Sequence, residues 1–132
     1  MLHTTVKGDL GDINFRFRGF SPNNEILLTT DGSSFKNTLN VWNVEDGENL
    51  LAINSESVGN VVFTDDSQRL AIGGHSYLLK DRTYDVDIWN IETGRLEAKV
   101  QDKAIATFSL SPDGQTLATG NAENEIKIWK IK

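Results

Sequence analysis

Cysteine is absent from the 132-residue sequence, which removes disulfides and thiolate chemistry at once. Long apolar runs are absent as well. The longest are about four or five residues, far short of the roughly 20 that span a bilayer. The opening "MLHTTVKGD" has no signal-peptide core. No Asn-x-Ser/Thr acceptor occurs. Together these absences predict a cytoplasmic chain with no membrane partner. A basic face is missing too. Lys and Arg number 13 against 19 Asp and Glu, interspersed, for a net charge of −6. Phosphate binding needs a Lys/Arg surface, so nucleic acid is not the expected partner. What is present is a globular balance, 38% hydrophobic and 24% charged. A chain this long buries roughly two thirds of its unfolded surface in one domain.

The three tryptophans stand in near-identical frames, "LNVWNV" (39–44), "VDIWNI" (86–91) and "IKIWKI" (126–131). Trp42 and Trp89 are 47 residues apart, Trp89 and Trp129 40. A period of this size marks a repeat architecture. Upstream of each tryptophan lies a second shared frame: "FSPNNEILLTT" (20–30), "FTDDSQRLAIGG" (63–74) and "LSPDGQTLATG" (110–120). Each reads as strand, tight turn, strand, with Pro, Asp, Asn or Gly in the turn. After the first two tryptophans come the turns "EDGE" and "ETGR", then the strands "NLLAI" (49–53) and "RLEAKV" (95–100). Each unit is thus a four-stranded antiparallel meander, a-b-c-d, and the chain is all-β with almost no helix expected. Strand c carries apolar groups on both parities, Ile126 and Ile128 against Trp129 and Ile131. A sheet of that kind is covered on both faces.

These residues resemble WD40 repeats, a β-propeller family. The resemblance rests on "FSLSPDGQTLATGNAENEIKIW" (108–129), "VVFTDDSQRLAIGG" with "DVDIWNIETG", and "GFSPNNEILLTT" with "LNVWNVEDG". It implies three WD40-type blades: about 13–53, about 58–100, and about 105–131. The family usually places Asp after the tryptophan; here stand Asn43, Asn90 and Lys130. Its Gly-His before strand a survives only as a trace, Asp9 standing where His would be. Its buried Asp falls on Lys36, Thr83 and Glu123. The buried hydrogen-bond network of the family, linking that Asp and His to a Ser/Thr and the Trp, is therefore not expected.

Propellers close with four to eight blades, and three are encoded here. The third unit lacks a strand d, and "LHTTV" (2–6) occupies the slot of a strand d before the first strand a. The resemblance implies that an N-terminal strand completes the last blade. Two routes stay open: a head-to-tail pair of chains forming a six-bladed ring, or the C-terminal part of a longer propeller.

No nucleophile elbow, P-loop or dinucleotide fingerprint occurs. Adjacent Asp65 and Asp66 read as turn residues. His75, Asp81 and Asp85 lack ligand spacing, and no metal or cofactor is expected. The irregular feature is the b–c connection. From the strand-b leucine to the tryptophan it takes 15, 19 and 12 residues in the three units. The excess brings Phe35, Lys36, Tyr77, Leu78, Leu79, Lys80, Arg82 and Tyr84 toward one rim. Aromatic, Arg and Leu groups there suit a protein-binding surface; the competing reading packs them on their own blade. "NFRFRGF" (14–20) is about two residues longer than its siblings. Its Arg16 and Arg18 point to a bulge or a charged channel lining. The expected function is a non-catalytic scaffold for other proteins, with self-association or further blades completing it. The alternatives are blades of a larger ring with no binding of their own, or a ligand-binding or enzymatic central channel.

Overall fold

A computed structural model describes residues 1–7, 16–33, 36–55, 59–73, 83–103 and 105–131. Among them there is no helix. Eleven strands form three antiparallel sheets. Sheet 1 runs in the order β1 (Arg16–Phe20), β2 (Ile26–Ser33), β3 (Lys36–Asn43), β4 (Asn49–Ser55). Sheet 2 repeats the meander with β5 (Asn60–Phe63), β6 (Arg69–Gly73), β7 (Thr83–Asn90) and β8 (Arg95–Lys103). Sheet 3 has β9 (Ile105–Leu110), β10 (Thr116–Asn121) and β11 (Ile126–Lys130), with β11 at its edge. The all-β meanders agree with the four-stranded antiparallel units expected from the sequence, and are consistent with blades of a β-propeller. The chain divides into two compact units, Met1–Ser57 and Val58–Lys132.

The a–b turns explain the shared "SP" frame. In sheet 3, the Ser111 hydroxyl donates to Asp113 Oδ1 at 2.7 Å and accepts from the Thr116 amide at 3.0 Å. Asp113 Oδ1 also accepts from the Gln115 amide at 3.0 Å. Sheet 1 makes the same knot with Ser21, Asn23, Glu25 and Ile26. In sheet 2 the knot uses Thr64, Asp66, Gln68 and Arg69. A hydroxyl and a carboxamide or carboxylate two residues on thus satisfy the turn amides that the strands leave unpaired. The next residue in each turn, Asn24, Ser67 or Gly114, has positive φ. At Gly114 the need for glycine is also spatial: an added Cβ would lie 2.9 Å from Thr64 Cγ2 of sheet 2. The Asp65 amide donates to the Pro112 carbonyl at 3.1 Å, so these two turns dock directly.

Within the second unit, sheets 2 and 3 stack face to face. Tyr84, Val86 and Ile88 alternate along β7 and, with Ala71 and Val100, form one wall. Ile105, Phe108, Leu110 and Leu117 form the other, with Trp129 and Ile131 packed against it. The stack covers one face of each sheet, and the apolar area removed from water is its main driving force; the expected burial of both faces is not met in sheet 3, whose Ile126 and Ile128 are exposed. At the rim of the stack, Asp102 at the end of β8 accepts from Asn121 Nδ2 and pairs with Lys127 Nζ at 3.0 Å.

Candidate interaction surface

Registers define equivalent positions across the three blades. Leu27 pairs with Trp42, Leu70 with Trp89 and Leu117 with Trp129. On strand a the partners of those leucines are Phe20, Phe63 and Leu110. One face of each blade, the tryptophan face, therefore carries the rows Phe20-Leu27-Trp42, Phe63-Leu70-Trp89 and Leu110-Leu117-Trp129. The opposite face carries Leu39 and Val41, Val86 and Ile88, and Ile126 and Ile128 on strand c.

The tryptophans keep part of the hydrogen bonding that the missing Asp and His seemed to abolish. Trp42 Nε1 donates to Thr29 Oγ1 at 2.8 Å, and Trp129 Nε1 to Thr119 Oγ1 at 3.0 Å. Both threonines lie two residues beyond the strand-b leucine. In sheet 2 that position is Ile72, and the buried Trp89 Nε1 has no partner among the described residues. The residue after the tryptophan also has a role. Asn43 Oδ1 accepts from the Glu45 amide at 2.8 Å, and Asn90 Oδ1 from the Thr93 amide at 3.0 Å. The asparagine that stands after the tryptophan in these two blades thus caps the c–d turn through its side-chain oxygen.

The b–c ends of the first two blades differ from the expected loops. In sheet 1 the ladder continues through Asp31↔Thr38 and Gly32↔Asn37 to Ser33↔Lys36. Most of the "DGSSFKN" excess is strand, not loop. Lys36 opens β3, its side chain outside the description, and Phe35 lies outside the described residues. Tyr77, Leu78, Leu79, Lys80 and Arg82 also lie outside them, as do His75 and Asp81. Tyr84 is described and is not on a rim surface: it is buried in the core between sheets 2 and 3. Its parity is the reason, because it precedes Val86 by two in a strand that starts at Thr83 rather than Val86.

Strand a of sheet 1 is bulged between Phe17 and Gly19, with Arg18 the extra residue. It supplies one of the roughly two surplus residues read in "NFRFRGF", and it falls on Arg18, in line with the bulge reading. Phe17 and Phe20 straddle the bulge, edge to face with ring centroids 5.5 Å apart, and both are exposed. Ile126 and Ile128 on β11 are exposed as well. Residues 1–7 form no strand within this chain. His3 Nε2 donates to the Glu45 carbonyl at 2.8 Å, and Thr4 Oγ1 lies 2.8 Å from where a Cβ on Gly47 would stand.

Charged groups are arranged as cross-strand pairs. Lys99 Nζ lies 3.1 Å from Asp85 and 2.9 Å from Asp87 Oδ1, and its hydrogen bond with Asp87 leads the upward shift of its pKa. No group of three or more His, Cys, Asp or Glu suited to a metal occurs among the described residues. No described helix is long and apolar enough to cross a membrane.

The WD40 family pattern (WD domain, G-beta repeat) matches residues 93–130. That stretch holds β8 followed by β9, β10 and β11, so the matched repeat is phased d-a-b-c. No curated protein matches the sequence. Among solved structures, one described as the crystal structure of the eukaryotic initiation factor aligns with a TM-score of 0.71 at 17% identity. The alignment covers 93% of this chain and 32% of that one. An uncharacterized protein from Listeria monocytogenes EGD-e aligns with a TM-score of 0.65 at 15% identity, covering 95% of this chain and 39% of that one. The likeness is one of fold, and the chain spans about a third of the length of the first structure and two fifths of the second.

Proposed function

We propose that this chain is a WD40-type scaffold segment that binds other proteins and carries out no catalysis. The WD40 match over residues 93–130 carries the reading, because the same strand frame recurs in sheets 1 and 2. The mechanism is presentation. Hydrogen-bonded meanders with knotted turns hold the b–c ends in place, and partners dock on them. The docking groups proposed are Phe35, Lys36, Tyr77, Leu78, Leu79, Lys80 and Arg82. The residues from 74 to 82 are the longest departure from the repeat, and they include an aromatic, two leucines and two cations. Such groups anchor interfaces when they come together in a desolvated cluster. A cytoplasmic setting is part of the same proposal.

A second reading, blades of a larger ring with no binding of their own, is favoured by the share of the solved structures that the chain covers. The combined variant Tyr77→Ser, Leu78→Ser, Leu79→Ser separates the two. The scaffold reading expects the variant to keep its strand circular dichroism and thermal midpoint while losing partners that co-purify with the wild type. Full retention of those partners, or unfolding of the variant, overturns the rim assignment.

A further inference from the structure

The sequence holds three Asp-Gly dipeptides, Asp31–Gly32, Asp46–Gly47 and Asp113–Gly114. This pairing has a chemistry of its own. Glycine has no Cβ, so its amide nitrogen can swing onto the carboxyl carbon of the preceding aspartate. Closure forms a bond from nitrogen to Cγ and expels the carboxyl hydroxyl and the amide proton as water, leaving a cyclic imide. Water then adds at the main-chain carbonyl carbon and breaks its bond to nitrogen. The chain now runs through Cγ, and the aspartate has become isoaspartate. Water is the only co-reactant.

The fold treats the three pairs differently. All three glycines are held on the backbone. Gly47 N donates to Asn43 O and Gly114 N to Ser111 O, each at 2.8 Å, and Gly32 lies opposite Asn37 in the β2–β3 ladder. The ring therefore closes only when the segment opens locally, and the segment that opens at least cost reacts first. Asp31 stands in the ladder opposite Thr38, and its Oδ2 accepts from Asn40 Nδ2 at 3.3 Å. Asp113 Oδ1 accepts from both the Gln115 amide and the Ser111 hydroxyl. These bonds hold its carboxyl below the usual 3.8, and so in the ionised form, the poorer electrophile. Gly114 is buried against Thr64, and the Pro112 carbonyl takes the Asp65 amide, so opening this turn also undocks it from sheet 2. Asp46 is exposed on the c–d turn of sheet 1. Among the described residues its carboxylate accepts a single bond, from the Glu48 amide at 2.9 Å.

We infer that Asp46 is a modification site, which converts to isoaspartate in the folded chain while Asp31 and Asp113 stay protected. Sheet 2 builds the same turn without the reactive group. There Thr93 and Gly94 stand where sheet 1 has Asp46 and Gly47. Gly94 has φ 70° and Gly47 75°, and Gly94 N donates to Asn90 O at 2.9 Å as Gly47 N does to Asn43 O. Threonine has no carboxyl with which to close the ring, so the turn does not require one at 46. The conversion changes the turn. An isoaspartyl backbone is one methylene longer, which disturbs both the Gly47–Asn43 bond and the packing of Thr4 over Gly47. It also leaves a new carboxylate on the Cα of residue 46, at an exposed position open to an enzyme that methylates isoaspartyl carboxyls.

Nothing in this depends on the b–c rim or on a binding partner. The folded chain is aged in neutral buffer at body temperature. Isoaspartate is then located by peptide mapping and counted by enzymatic carboxyl methylation. It is expected to accumulate at residue 46 at least about fivefold faster than at 31 or 113, the factor that one net hydrogen bond is worth. In unfolding urea the three rates should draw together, because the fold is what separates them. Asp46→Thr, which gives this turn the residue that sheet 2 uses, should lose most of the methyl-accepting carboxyl and keep its circular dichroism. If that variant unfolds, Asp46→Glu is measured in its place, with the same loss expected, because the longer side chain closes such a ring far more slowly. Isomerisation at 31 or 113 as fast as at 46 overturns the inference, as does an aged chain free of isoaspartate. So does retention of the methyl-accepting carboxyl in the folded variant. An order of rates that persists in urea also overturns it, because flanking sequence and not the fold would then set the order.

Discussion

Sheet 2 differs from its neighbours at one buried atom, and that atom can be tested. Trp42 and Trp129 each donate to a threonine at 2.8 and 3.0 Å, whereas Trp89 meets Ile72 at that position and is left without a partner among the described residues. A buried donor with no acceptor costs about 1–3 kcal/mol. Replacing Ile72 with Thr should supply the acceptor, but it also shortens a side chain that is nearly fully buried. The comparison that isolates the hydroxyl is Ile72→Val against Ile72→Thr, since valine and threonine have the same shape. Ile72→Val should cost about 0.5–1.5 kcal/mol for the lost methylene. In an ordinary core site, Thr would then be worse than Val by about 1–3 kcal/mol, the cost of a buried hydroxyl without a partner. Here the hydroxyl accepts from Trp89 and removes an existing penalty. Ile72→Thr should therefore be more stable than Ile72→Val by about 1–2 kcal/mol, or about 4–7 °C in thermal midpoint for a chain of this length. Thermal unfolding followed by circular dichroism gives the answer. Both variants are compared at one chain concentration, so that any mass-action contribution is held fixed. A Thr variant less stable than the Val variant would refute the assignment of position 72 as the missing acceptor.

The converse change, Thr119→Val, should orphan Trp129 and cost about 1–3 kcal/mol in denaturant titration, while Thr107→Val, on the opposite face, should change little. Acid should weaken the stack of sheets 2 and 3 through Asp102. Burial pushes its pKa up, but hydrogen bonds from Asn121, Lys127 and the Lys103 amide prevail and hold it below the usual carboxylate value of 3.8. A depressed folded pKa gives stability that is present above the unfolded value and is lost as pH falls through the folded one. The wild type should thus lose stability from about pH 4 downward, and Asp102→Asn should show a shallower loss across the same window in pH-dependent urea unfolding. An unchanged acid slope would remove Asp102 from the account.

Much of this was legible in the sequence, for identifiable reasons. The tryptophan frames and the serine or threonine knots recur because each blade solves the same turn and pairing problem. The bulge at Arg18 is one of the two readings that the long strand a of the first unit allowed. The misread positions were those where a strand outran its repeat. Strand c of the second blade begins at Thr83, which carries Tyr84 into the core by alternation. Extending the parity of Val86 and Ile88 backward by two residues would have revealed it. The ladder through Asp31 and Gly32 was hidden for a different reason. "DGSS" has turn composition, and cross-strand pairing overrode it. The tryptophan–threonine bonds do not depend on the Asp and His whose absence argues against the network. Thr29 and Thr119 hold the indole without them.

The matched repeat is tested most directly at β11, which pairs along Ile126–Lys130 with β10. Amide hydrogen exchange resolved by residue over Ile126–Lys130 reads that pairing. The antiparallel ladder predicts slow exchange at alternate amides of the segment, those that donate to β10. Fast exchange at all of them would contradict it.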